Sequence, residues 1–90
     1  MKLKIIQIEW KDITCPSDNT WFDVTGKEDI KYKASKCLTV GFLVKKTKKV
    51  IITAQNYGKD YDGGEQWGGL EIIPRGTISK VKTLGYYNDC

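Results

Sequence analysis

Cys37-Leu38-Thr39-Val40-Gly41-Phe42-Leu43-Val44, then Lys45-Lys46-Thr47-Lys48-Lys49, then Val50-Ile51-Ile52-Thr53-Ala54 is the stretch whose reading decides the fold. Both outer runs are apolar, rich in β-branched residues and too short for buried helices. Joined by a short polar segment, they read as a β-hairpin with a basic tip. Toward the N-terminus, Lys2 to Trp10 alternates: Leu3 and Ile5 share one face, with Lys2 and Lys4 on the other. Ile6, Ile8 and Trp10 then fall on a single face, so the register switches near Ile5 and Ile6, as in a bulged strand. Lys11 to Thr20, with Cys15-Pro16-Ser17-Asp18-Asn19, is dense in turn formers. Between Trp21 and Lys36 the apolar spacing follows neither period, and a short irregular or one-turn helical excursion is expected.

Beyond the hairpin, Gln55 to Gly69 holds Gly58, Gly63, Gly64, Gly68 and Gly69 and reads as a long glycine-rich loop. Leu70 to Ile73 and Thr77 to Leu84 are two further strands around Pro74-Arg75-Gly76, and residues 85–90 read as a flexible tail. The chain of 90 residues is thus expected to be one mostly β domain, 1–90, with a thin core. Trp10, Trp21, Phe22, Val40, Phe42 and Ile52 are its expected core residues. A core this thin leaves little room for a ligand cavity of its own, which makes a homo-oligomer the expected state.

Charge and composition narrow the function. Fifteen Lys and Arg stand against eleven Asp and Glu, a net charge of +4, which favours anionic partners. Arg75 is the one arginine, whereas readers of base sequence lean on Arg for bidentate contacts. The chain has no His, which removes the usual general base at neutral pH and the commonest metal ligand. Cys15, Cys37 and Cys90 make an odd count with no CxxC pair, so neither a disulfide framework nor a zinc knot is indicated. A non-enzymatic, cytoplasmic protein is expected, with no cofactor, no bound metal and no membrane segment.

Two groups of residues are candidates for ligand binding. Lys45, Lys46, Lys48 and Lys49 on the hairpin tip, with Arg75 at the turn between the last strands, can hold phosphate. Tyr57, Tyr61 and Trp67 on the glycine-rich segment can stack on a base. For Trp67 the competing role is packing. Asp60, Asp62 and Glu65 make the same segment locally acidic. Asp12 and Asp18 read as turn caps.

Five short strands in so few residues suggest a small barrel, which would protect the sheet edges. Gly41-Phe42-Leu43 resembles the glycine-x-leucine of the first motif of Sm-like proteins. Ile73-Pro74-Arg75-Gly76 with Ile78 and Val81 resembles the second. This implies a five-stranded SH3/Sm-like barrel. The acidic residue and asparagine with which that first motif grips a base are absent, the Lys45 to Lys49 tip standing in their place. A resemblance covering more of the chain runs through Trp10 with Asp12, Trp21, Cys37 to Leu43, Ile52-Thr53-Ala54-Gln55, and Ile73-Pro74 with Ile78, Val81 and Leu84. That order is similar to a family of small bacteriophage and prophage proteins. Small phage proteins of this kind include oligomeric sponges that sequester nucleotide signals of bacterial immunity. The resemblance implies a homo-oligomer that sequesters an anionic nucleotide-like molecule as an anti-defence protein in an infected or lysogenic cell. The alternatives are an Sm-like or SH3-like module that binds single-stranded RNA or DNA through Arg75 and the lysine tip, and an inhibitor that pairs a strand edge with a host protein.

Overall fold

The computed structural model describes residues 2–14, 25 and 33–88. The central hairpin forms where expected: β2 (Lys33–Lys46) and β3 (Val50–Lys59) pair antiparallel through Phe42↔Ala54 and Leu43↔Thr53. β1 (Lys2–Thr14) lies on the other side of β2 in an unbroken ladder from Ile5↔Phe42 to Thr14↔Lys33. β4 (Glu65–Pro74) flanks β3, and a 3-10 turn at Arg75–Thr77 then returns the chain so that β5 (Ile78–Asn88) pairs with β1. The strand order is β4-β3-β2-β1-β5 in a single antiparallel sheet. The ladder does not close: among the described residues β4 and β5 are its two edges.

The switch of face in β1 is real. Leu3, Ile6 and Ile8 are buried, and the β1–β5 register slips between Ile5 and Ile6, leaving Leu84 as the extra residue. Ile6 and Ile8 then meet Ile51 of β3 and Ile73 of β4 in one fully buried cluster, with Trp10, Leu43 and Ile78 against it. β2 separates β1 from β3, so this contact requires the sheet to curl over on itself. Burial of each isoleucine contributes about 1.5–3 kcal/mol, which is what holds the curl. Gly41 allows a close approach of β2 to β3, since a Cβ there would lie 2.7 Å from the Ala54 carbonyl oxygen. A polar tie spans the same interior: Trp10 Nε1 donates to Thr39 Oγ1 at 3.0 Å, and Thr39 Oγ1 donates to Glu71 at 2.6 Å.

Outside the isoleucine cluster, four rings from four strands bring the sheet's ends together. Phe42 lies 6.4 Å from Tyr57 and 6.1 Å from Trp67, Tyr57 lies 5.6 Å from Trp67, and Tyr57 reaches Tyr87 of β5 at 6.2 Å. The approach of β3 to the far edge strand is therefore made by side chains and not by backbone hydrogen bonds.

Several expectations are corrected. Residues 55–69 are not a long loop: β3 runs through Lys59, β4 starts at Glu65, and only Asp60–Gly64 turns. Asp60 and Asp62 make that turn, with Gly63 N donating to Asp60 O, Asp60 N to Gly64 O, and Gly64 N to Asp62 Oδ1. Gly63 at φ 94° supplies the left-handed position that a tight hairpin needs. Facing pairs Tyr57↔Trp67 and Lys59↔Glu65 then stabilise the extension. The expected tail from residue 85 is strand as far as Asn88, and Lys11 to Thr14 continues β1 instead of turning. Val40, expected in the core, is 46% exposed, and Trp10, Phe42 and Ile52 are only half-buried. The irregular excursion expected from Trp21 to Lys36 is corrected at its end, where Lys33 to Lys36 are strand, paired with Lys11 to Thr14 of β1. The rest of that excursion, Thr25 apart, and the core roles of Trp21 and Phe22 lie outside the described residues, as do Cys15, Asp18 and Cys90.

Candidate anion-binding surface

The basic tip is built by one threonine. Thr47 N donates to Val50 O at 2.9 Å, and its hydroxyl accepts from the backbone N–H groups of Lys49 and Val50 at 3.1 and 3.0 Å. These bonds hold the connection between β2 and β3 in one conformation, so Lys45, Lys46, Lys48 and Lys49 project from a fixed scaffold, all exposed. Nothing in the composition of the tip singled out Thr47. The available signal was the habit of Ser and Thr hydroxyls of bonding to nearby backbone in turns.

Arg75 joins this tip. Pro74 faces Val50 in the β3–β4 ladder, which brings the 3-10 turn against the hairpin connection. Arg75 N donates to Lys49 O at 2.8 Å and Arg75 Nε donates to Thr47 O at 3.0 Å. Thr77 Oγ1 closes the turn on Pro74 O at 2.7 Å. With Nε committed, the guanidinium is oriented, and its terminal N–H groups remain for a ligand. Five cations thus share one exposed end, and among the described residues none of them is ion-paired to a carboxylate. All five are exposed, an arrangement suited to a phosphate chain passing over it.

The aromatic candidates lie elsewhere. Trp67 and Arg75 stand toward opposite ends of β4, separated by eight positions or roughly 25 Å at about 3.3 Å per residue. Trp67 packs with Phe42 and Tyr57 and remains 38% exposed, while Tyr61 projects fully from the acidic turn. Tyr57 and Trp67 are brought together, Tyr61 is apart from them, and none adjoins Arg75 within one copy of the chain.

The chain matches no protein-family model, no curated protein and no solved structure. Among the described residues there is no helix long and apolar enough to cross a membrane, and no group of three or more His, Cys, Asp or Glu that could hold a metal.

Proposed function

We propose that this chain is an SH3/Sm-like small barrel that binds the phosphate backbone of single-stranded nucleic acid, without turnover, through Lys45, Lys46, Lys48, Lys49 and Arg75. The observation that carries this reading is the pair of bonds tying Arg75 to the tip, which collects five cations that have no carboxylate among them. The strand order, with a 3-10 turn leading β5 back beside β1, supports the barrel. One arginine among so many lysines favours contacts to phosphate over readout of bases. Binding of a single-stranded oligonucleotide should fall steeply with salt, with a log–log slope of roughly −3 for four to five phosphate contacts. Lys48→Gln with Lys49→Gln should make that slope shallower by about one unit or more. A slope near zero, or one unmoved by the double substitution, contradicts the proposal.

The second reading, sequestration of a nucleotide-like small molecule by a homo-oligomer, has one observation in its favour. Arg75 and Trp67 are too far apart to close on one nucleotide within a copy, yet each is exposed, so two copies can supply one residue each. A small ligand of few charges gives a shallow salt slope, and the same titration separates the two readings.

A further inference from the structure

Away from the basic tip, the structure holds a cleft of about 300 Å³ beside the β1–β2 ladder, where β5 leaves β1. Its origin is the second slip in the β1–β5 ladder. Glu9 faces Lys80 and Trp10 faces Ile78, so Ser79 is the extra residue, and its hydroxyl donates to Glu9 O at 3.1 Å. A bulge of this kind widens the ladder, and past Trp10 β1 has no β5 partner to fill the space. Trp10, Lys11, Lys36, Cys37 and Leu38 line the opening, with Ser79 and Glu9 beside them.

Two features of the lining point to what it takes. Lys11 and Lys36 are direct partners across the β1–β2 ladder. Like charges facing each other are unfavourable, both ammonium groups are exposed, and among the described residues neither is ion-paired. An anion seated between them would turn the repulsion into two attractions. One step along the same face comes an apolar group, Leu38, which is 61% exposed; Trp10, paired with Cys37 between the two, turns its indole to the opposite face, against the isoleucine cluster. On the same face as the lysine pair, one step of two residues away, Glu9 faces Leu38, roughly 7 Å along the strand. A carboxylate there repels a phosphate and accepts from an amine. The cleft lies at the small end of ligand sites, room for one nucleotide and no more.

We infer that this cleft is a nucleotide-binding site, with phosphate between Lys11 and Lys36 and an amine-bearing base over Leu38 toward Glu9. It is separate from the basic tip and does not depend on it. The phosphate belongs either to a free mononucleotide or to the phosphorylated end of a strand.

Titrating the full chain with adenosine 5′-monophosphate, adenosine, inorganic phosphate, and an octanucleotide with or without a 5′-phosphate tests the site. Lys11→Gln with Lys36→Gln should weaken the phosphorylated ligand about tenfold or more, the effect of losing charged hydrogen bonds, while Lys48→Gln with Lys49→Gln leaves the mononucleotide unchanged. Loss of mononucleotide binding identifies the free ligand. Loss confined to the 5′-phosphorylated octanucleotide identifies a strand end. Adenosine and phosphate alone should each bind more weakly than the intact nucleotide. Without ligand, the Lys11→Gln, Lys36→Gln variant should melt no lower than wild type, since a repulsive pair has been removed. Equal binding of every phosphorylated ligand by wild type and this variant, or no binding of any of them by wild type, overturns the inference.

Discussion

Gly41 and Trp67 each carry a consequence of the curl. At Gly41 a methyl group would stand 2.7 Å from the Ala54 carbonyl, backbone that cannot swing away. Gly41→Ala should therefore destabilise by about 1–3 kcal/mol, the range for overpacked sites, and lower the melting temperature accordingly. A melt unchanged from wild type would show that β2 and β3 do not approach as closely as described. Trp67 has two ring neighbours and is 38% exposed, so Trp67→Ala should cost somewhat less than the 3–5 kcal/mol of a fully buried ring, about 2–3 kcal/mol. Thermal melting measures this directly, and an unaffected melt would mean that the indole is free to serve as a lid.

The elements were legible from sequence wherever local pattern and burial coincide. The hairpin of β2 and β3 could be read because apolar runs bracket a basic turn, and the bulge in β1 because Leu3, Ile6 and Ile8 change parity. Residues 55–69 misled because glycine count was weighed above turn chemistry. Asp62-Gly63 is a hairpin signal in its own right, and Tyr57 with Trp67 are good cross-strand partners once that turn is placed. Val40 misled for a different reason: an apolar residue on a central strand still faces outward when its neighbour Thr39 takes the interior position, tied to Trp10 and Glu71. For the site, the lysines were visible as a charge run and Arg75 as a turn residue. Their union was not, because it depends on Pro74 facing Val50, a pairing between segments 24 positions apart. The Lys11–Lys36 pair was hidden likewise, since register across a long connection is not written in either strand alone.

At the scale of the whole molecule, the curled sheet leaves two edges among the described residues, and β4 is the less guarded of them. β4 exposes Leu70 and Ile72 at 60% and 62%, and β5 exposes Val81, Leu84 and Tyr86 beside Lys80 and Lys82. Natural edge strands are usually blunted by charge, proline or a covering element, and on β4 Pro74 stands only at the end of the strand. A small domain with little buried core gains most from covering such a surface with another copy of itself. The chain should therefore run as a homo-oligomer in light scattering at micromolar concentration. Leu70→Lys with Ile72→Lys should shift it to the monomer mass, because both side chains are exposed in a single copy and lysine on an edge opposes strand pairing. Since neither residue belongs to the isoleucine cluster, the monomeric variant should keep the β-sheet circular dichroism of the wild type. A wild-type chain that is already monomeric would show that the exposed aliphatics of β4 are tolerated surface, and would remove the two-copy route by which Arg75 and Trp67 can meet at one ligand.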